Sequence, residues 1–381
     1  MPSMRTTTVT SPAWARYLER VDWFLLACVG LMAALGTVFI AGATAGAEGL
    51  AWGPLARHLL YVLAGLAAFV AAQRIDYMVL LRHAPALYAI LLVMLVGVLF
   101  TRPINGARSW FSLYVVNLQP SELLKPVLIL AVAHYLMYRE SYKRLTGLVT
   151  PLALFLIPMA LILRQPDLGT ALALVPLAFA MLYAAGAKRL HLALMTLAGC
   201  AAMVLMWFTV MKPYQKNRIL AWLNPEEYRL HEAWQLLQSE IAIGSGGMWG
   251  SGMGHTQKNA WELLPEKHTD FIFAVIAEEG GFALAGLLLL LTALAALSGL
   301  GIAGRTREPA GRLIAVGVSV LLAGQALINA GVAVGLLPTT GLTYPFVSYG
   351  GSSIVSSFLC LGLLVNVGAR PQVVLAKEDF A

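Results

Sequence analysis

The sequence predicts an all-α, polytopic membrane protein with about ten transmembrane helices, both termini in the cytoplasm and one large extracytoplasmic loop. The 381 residues are 59% hydrophobic and only 12% charged, and the mean hydropathy is +0.75. The apolar residues form runs long enough to cross a bilayer, and the basic residues alternate between the connecting loops. A soluble domain carries about 25% charged residues. Lipid is therefore the expected solvent for this chain.

Ten apolar runs have a length sufficient to span a membrane. They lie near residues 23–44, 55–73, 84–100, 121–138, 148–164, 169–186, 191–211, 271–299, 313–334 and 353–369. The fifth and sixth runs are separated only by Gln165-Pro166-Asp167. Because proline interrupts a helix, these three residues are predicted to form a tight turn between two spans.

The basic residues predict which loops face the cytoplasm. One set of loops and termini contains Arg5, Arg16, Arg20, Arg74, Arg82, Arg139, Lys143, Arg144, Lys188, Arg189, Arg305, Arg307, Arg312, Arg370 and Lys377. The short loops of the other set contain only Arg57, Arg102, Arg108 and Arg164. Basic loops stay on the cytoplasmic side, which places both termini inside. The net charge of +7 therefore reflects topology, and no contiguous basic domain indicates nucleic-acid binding.

Residues 1–381 are predicted to form a single integral membrane domain, with residues 212–270 as its large extracytoplasmic loop. Within that loop, the apolar spacing over residues 228–237 predicts a short interfacial helix. The glycine-rich stretch 244–252 lacks the features of a phosphate-binding loop and is interpreted as a flexible loop. A loop of this length is unusual in a compact protein unless it has a function.

Two polar clusters adjoin the fourth to sixth spans, where charges are costly and therefore functional candidates. Glu122 and Lys125 are three residues apart, so they share a helix face. They form either an ion pair that stabilises the bundle or a site in which Lys125 holds an anionic head group. Asp167 begins the sixth span, where an aspartate is either an ordinary helix cap or a functional carboxylate.

Two further clusters adjoin the last three spans. His268, Asp270, Glu278 and Glu279 lie close together where the long loop meets the eighth span. A carboxylate at that boundary suits a general base, although Asp270 is also placed to cap a helix. Residues 335–353 combine glycine, proline and hydroxyl side chains, which predicts an irregular or re-entrant loop. The backbone polar groups of such a loop must form hydrogen bonds with protein or with water in a cavity.

The motifs, taken in this order, resemble those of the SEDS family of cell-shape, division and sporulation proteins. The matching segments are 105–110, 119–122, 165–170, 241–247, 256–257, 264–273 and 348–353. Within the family, Gln165 before Pro166-Asp167 and the segment 254–257 resemble the elongation branch, RodA, more than the division branch, FtsW. The resemblance covers nearly the whole chain.

This resemblance implies a glycosyltransferase of the bacterial cytoplasmic membrane that polymerises lipid II into glycan strands at the outer face, for cell elongation and shape. It implies that Asp270 is the general base and that a class B penicillin-binding protein is the partner. A divalent cation, Mg²⁺ or Mn²⁺, is an expected cofactor, with no metal ligands assigned. The substrate-binding residues are expected to be Arg108, Glu122, Lys125, Asp167, Gln257, His268, Ser348, Tyr349 and Ser352.

Two other classes stay open from the residues alone. A lipid flippase or secondary transporter would use the buried charges as a midplane relay, but such proteins usually contain internal repeats, and we find none. A scaffold for cell-wall machinery would not need charges at membrane depth. Both alternatives predict that no glycan strands form.

Overall fold

The structure is a computed structural model that describes residues 17, 19–46, 49–50, 52–103, 107–113, 116–137, 139, 145–209, 211–228, 233–252 and 268–370. The helices are α1 Trp23–Thr44, α2 Trp52–Arg74, α3 Tyr77–Val98, α4 Pro120–Leu136, α5 Val149–Arg164, α6 Leu168–Ala185, α7 Arg189–Thr209, α8 Pro213–Leu223, α9 Trp234–Ser245, α10 Ile272–Arg305, α11 Pro309–Ala333 and α12 Gly351–Ala369. Each of the ten predicted spans coincides with one of them. Helices α8 and α9 belong to the long loop instead.

Within the described part of the chain, eight helices are long and apolar enough to cross a membrane: α1, α2, α3, α6, α7, α10, α11 and α12. The other two predicted spans, α4 and α5, are shorter, with 17 and 16 residues. Helix α4 also carries the buried Glu122 and Lys125. The predicted polytopic all-α class is confirmed.

Two short antiparallel hairpins were not predicted. Strands β1 Ala45–Gly46 and β2 Gly49–Leu50 follow α1, and strands β3 Phe111–Leu113 and β4 Val116–Leu118 precede α4. In the second hairpin, Phe111 pairs with Leu118 and Ser112 with Asn117. Strands this short give too little alternation to be recognised in a sequence.

The bundle is built by a few extensive helix pairs. Helix α12 packs mainly against α2, α10 against α11 and α1, α11 against α6, and α3 against α4. Helix α7 is peripheral, and only His191 is buried along it. The buried core is therefore formed mainly by α1, α3, α4, α6, α10, α11 and α12, and α7 is left largely open to lipid.

Local sequence signals set several helix ends. The Asp76 carboxylate accepts a hydrogen bond of 2.9 Å from the Met78 amide and caps α3. Glu308 caps α11 in the same way, and Pro309 occupies its first turn. Helix α6 ends at Gly186 in the left-handed conformation. Asp76, Pro309 and Gly186 are residues that helix ends prefer at these positions.

Helix α10 is interrupted at Gly281, which has φ 69° and ψ −174°. The glycine-rich segment packs against this kink: the Ser251 amide donates to the Glu278 carbonyl, and the Phe282 amide donates to the Gly247 carbonyl, both at 2.9 Å. The prediction of a flexible loop for 244–252 was wrong, because these main-chain hydrogen bonds hold the segment against α10. The helix predicted over 228–237 overlaps α9, which spans Trp234–Ser245.

The kink changes where the eighth span begins. A straight helix of 34 residues would be about 51 Å long, whereas the hydrocarbon core is about 30 Å thick. Residues 272–280, before the kink, are all buried within the protein. Glu278 and Glu279 therefore lie at the kink, packed against the long loop between α7 and α10, rather than on a regular lipid-facing span.

Candidate active site

Three of the four polar clusters meet at one end of the bundle: the one that contains Glu122 and Lys125, the one at Asp167, and residues 335–353. The Gln119 side-chain amide donates to Asp167 Oδ2 at 3.0 Å, and the Gln119 main-chain amide donates to Ser352 Oγ at 3.0 Å. Ser352 Oγ in turn donates to the Asn117 carbonyl at 3.1 Å. The starts of α4, α6 and α12 are thus held together by polar contacts at one end of the bundle.

The remaining polar cluster, which contains His268 and Asp270, joins the other three through contacts with residues 335–353. The Tyr349 amide donates to the His268 carbonyl at 2.8 Å. The Asn329 side chain, from α11, donates to the carbonyls of Asp270 and Leu342 at 2.8 and 2.6 Å. The segment before α10 is therefore tied to the loop between α11 and α12, and all four clusters converge.

The Asp270 side chain is half-buried and faces this loop. A Cβ added at Gly341 would lie 3.6 Å from Asp270 Oδ2. Asp270, Asn329, Thr340, Gln235 and Arg218 contribute to the lining of one cavity of about 30 Å³. The carboxylate is accordingly accessible from a polar recess and has a guanidinium among its neighbours.

The start of α6 packs closely against the same loop. A Cβ added at Gly169 would overlap the carbonyl oxygen of Thr340 and lie 2.9 Å from Leu342 Cγ. Only glycine allows the backbones to approach this closely. The 340–342 segment is therefore in contact with both the start of α6 and the Asp270 side chain.

Replacing Gly169 with alanine is expected to lower the thermal unfolding midpoint, because overpacking a rigid backbone contact costs about 1–3 kcal/mol. Gly199 is the matched control, since an added Cβ there has open space around it. Unfolding of both variants in detergent is the measurement. Equal midpoints for the two variants would show that the loop contact is not needed.

Glu122 and Lys125 form the predicted ion pair, with Lys125 Nζ 2.6 Å from Glu122 Oε1. Both are buried in α4, and Lys125 is only 1% exposed. The Glu122 carbonyl also accepts a hydrogen bond of 2.7 Å from Ser356 of α12. The pairing is confirmed, and its burial favours the structural interpretation over direct contact between Lys125 and a head group.

Asp167 caps α6, which confirms the helix-cap interpretation of this residue. Its Oδ1 accepts from the Thr170 amide at 3.0 Å, and its Oδ2 accepts from the Thr170 hydroxyl at 2.8 Å. Burial raises the pKa of Asp167 above its usual value, while the Thr170 bonds act in the opposite direction. The Asp167 carboxylate also accepts a hydrogen bond from Gln119, so it joins α4 to the start of α6. This favours a structural role over direct contact with a substrate.

Ser348 and Tyr349 have different surroundings. Ser348 is buried, and its Oγ accepts a hydrogen bond from the Tyr344 amide at 2.7 Å, which shapes the loop. The Tyr349 ring stacks on His58 and meets Tyr61 edge-on. Burial raises the pKa of the Tyr349 hydroxyl, and its hydrogen bond with Arg57 lowers it. Tyr349 is thus linked to an exposed cation of α2.

The remaining predicted residues are Arg108 and Gln257. The Arg108 guanidinium is exposed and donates to the Leu99 carbonyl at 3.2 Å, while the adjacent Ser109 hydroxyl donates to the Gln165 carbonyl at 3.1 Å. Arg108 therefore lies beside the α5–α6 turn, at the same end as the four clusters. Gln257 lies outside the described residues.

Three residues of the site were not predicted. Asn329 could have been predicted from the sequence, because a side-chain amide within an apolar run needs hydrogen-bond partners. Arg218 and Arg57 were not detectable as site residues, since nothing in the sequence separates them from other basic residues of the outer loops. Arg218 reaches the site through α8, where its Nη1 lies 3.4 Å from the Thr339 carbonyl.

A family model described as "Cell cycle protein", FTSW_RODA_SPOVE, matches residues 22–372. The chain belongs to this family. The SEDS resemblance is therefore confirmed over nearly the whole sequence, and the four converging clusters are the SEDS motifs.

Individual SEDS relatives come from both branches. A protein of Geobacter metallireducens named "Probable peptidoglycan glycosyltransferase FtsW" is 38% identical over 83% of this chain and 85% of its own length. A chain from a peptidoglycan synthase complex is 34% identical, with a TM-score of 0.79 over 91% of this chain and 97% of that one. The Thermus thermophilus rod shape determining protein RodA is 31% identical, with a TM-score of 0.68 over 91% and 96%. The RodA branch stays a prediction, since FtsW fits equally.

Proposed function

We propose that this protein is a peptidoglycan glycosyltransferase that polymerises lipid II at the outer face of the bacterial cytoplasmic membrane. The observation that carries the proposal is the convergence of four polar loops around Asp270 at one end of an apolar bundle. Sequence relatives that match 83% and 92% of this chain are named probable peptidoglycan glycosyltransferases. The apolar bundle gives polyprenyl tails a place to lie, and the polar end accommodates sugars.

In this proposal Asp270 acts as the general base. Its carboxylate removes the proton from the 4-hydroxyl of the acceptor GlcNAc while that oxygen attacks the anomeric carbon of the donor. The bond from the anomeric carbon to the pyrophosphate oxygen breaks, and undecaprenyl pyrophosphate leaves with the bonding electrons. Because this leaving group is already good, the protein needs no separate acid of the kind that glycosidases use.

Negative charge on the leaving group requires cations nearby. Arg108 and Arg218 are better placed than Lys125 for direct contact, since Lys125 is 1% exposed and already bound by Glu122. Glu122, Lys125 and Asp167 are then proposed to support the substrate site by fixing α4 and α6. His268, Ser348 and Ser352 support it through the main-chain and side-chain contacts of their loops.

A divalent cation is part of the proposal without an assigned protein site. The described residues contain no group of three or more His, Cys, Asp or Glu side chains placed to hold a metal. Mg²⁺ is often held by one or two carboxylates together with substrate phosphates and so does not need such a group.

The proposed partner is a class B penicillin-binding protein that crosslinks the strands as they form. A structural relative comes from a synthase complex whose description joins polymerization to crosslinking. Coupling of this kind suits a polymerase whose site opens on the outer side, where the crosslinking substrates are found.

The test of the proposed function compares polymerisation with transport. Purified protein in detergent, given labelled lipid II and a divalent cation, is expected to produce glycan strands that separate by length on a gel. The same protein in liposomes is expected to leave the rate of lipid II translocation unchanged. Robust translocation without strands would instead favour the flippase alternative.

A further inference from the structure

The side-chain amide of Asn329 has only one workable orientation. Its Nδ2 lies 2.8 Å from the Asp270 carbonyl and 2.6 Å from the Leu342 carbonyl. Both neighbours are acceptors, so both N–H groups are used and the amide cannot be flipped. The Asn329 Oδ1 atom must therefore point away from these carbonyls and needs a donor of its own.

Two buried polar side chains line the cavity beside Asp270. Asn329 is 1% exposed and Thr340 is 8% exposed, and both line the cavity. Asn329 Oδ1 and Thr340 Oγ1 have no hydrogen-bond partner among the described residues. A buried polar atom left unpaired costs about 1–3 kcal/mol. Two such atoms in one polar recess indicate a ligand that hydrogen-bonds to them.

The lining limits what that ligand can be. An anion cannot donate to Asn329 Oδ1 and would be repelled by the Asp270 carboxylate. A cation would be disfavoured by the Arg218 guanidinium, which lines the same recess. A hydroxyl group donates one bond and accepts others, which matches this mixed lining. A volume of about 30 Å³ accommodates a water or a single hydroxyl, but not a sugar ring.

We propose that Asn329, Thr340 and Arg218 form a hydroxyl-binding subsite against the Asp270 carboxylate. The hydroxyl comes from water in the resting protein or from a sugar of the bound substrate, and the second source rests on the proposed function. Asn329 is also a positioning residue, since its amide sets the Asp270 backbone against the 339–342 loop. The subsite thereby places one donor–acceptor group directly beside the base.

The test uses two substitutions at one position. Thr340→Val removes the hydroxyl with little change of volume, and Thr340→Ser keeps it as the matched control. Without substrate, Thr340→Val is expected to lower the thermal unfolding midpoint in detergent by about 2–4 °C relative to Thr340→Ser. A midpoint that is unchanged or higher would mean that the hydroxyl has no partner to lose, which overturns the subsite.

The second arm distinguishes the sources of the hydroxyl. Initial rates of strand formation are measured against lipid II concentration for both variants. A KM raised at least fivefold with Thr340→Val, but not with Thr340→Ser, assigns the hydroxyl to the substrate, whereas an unchanged KM with a lowered midpoint assigns it to water. A midpoint that depends on Mg²⁺ in the wild type and not in Thr340→Val would overturn the hydroxyl assignment in favour of a cation. The unfolding arm needs no substrate, so it stands even if polymerisation fails.

Discussion

Replacing Asp270 with asparagine is expected to lower the rate of strand formation by about 10²–10⁴-fold, the usual contribution of a general base. Asparagine keeps the volume of the side chain but cannot accept the proton of the acceptor hydroxyl. The fold should survive, because Asn329 holds Asp270 through its main-chain carbonyl, which the substitution leaves in place. The measurement is the initial rate with labelled lipid II, alongside the unfolding midpoint of the same preparation.

Asp22 provides the matched control for this substitution. It lies ahead of α1, where its Oδ1 accepts a hydrogen bond from the Leu25 amide and its Oδ2 lies 3.5 Å from Arg305. Asp22→Asn makes the same chemical change away from the four clusters and should leave strand formation near the wild-type rate. If Asp270→Asn keeps activity within about tenfold of wild type, Asp270 is not the base.

Replacing Lys125 with alanine is expected to destabilise the protein by about 3–5 kcal/mol, because it leaves the Glu122 carboxylate buried without its partner. The pair lies within α4, and the Glu122 carbonyl also holds Ser356 of α12. The loss should therefore reach two helices of the core. Thermal unfolding in detergent measures it, and strand formation is followed on the same preparations.

The double change Glu122→Ala with Lys125→Met separates the structural role of the pair from a substrate role. Removing both charges leaves no unpaired ion, so the unfolding midpoint should return toward that of the wild type. If the pair only stabilises the bundle, as its burial favours, activity returns as well. Restored stability without restored activity would show instead that Lys125 acts on the substrate.

Much of the site could be predicted because its parts are local in sequence. The Glu122–Lys125 pair follows from helical spacing alone, and the structure confirms it at 2.6 Å. The Asp167 cap follows from an aspartate placed directly before an apolar helix. The position of Asp270 at the start of α10 follows from the change from polar loop to apolar run.

Other features could not be predicted, since they depend on contacts between distant segments. The kink at Gly281 requires the 247–252 segment to supply main-chain bonds from about thirty residues away along the chain. Glycine in an apolar run gives no sign of whether a helix continues through it. The arrival of Arg218 beside Asp270 depends on how α8 docks, and a pattern of basic residues does not contain that information.

The sequence by itself determined the membrane class, the positions of the ten helices predicted as spans and the polar clusters that meet at one end of the bundle, while Asp270 as the base stays a prediction. These features follow from the length of each apolar run and the charge of each loop, which can be read from short stretches of sequence. Only the tertiary structure decided which polar groups touch. It buried Lys125 in an ion pair, used Asn329 to join two loops, and left Asn329 Oδ1 and Thr340 Oγ1 without a hydrogen-bond partner among the described residues. The reason is that a hydrogen bond is fixed by position within a few tenths of an ångström, which helix packing sets and residue order does not.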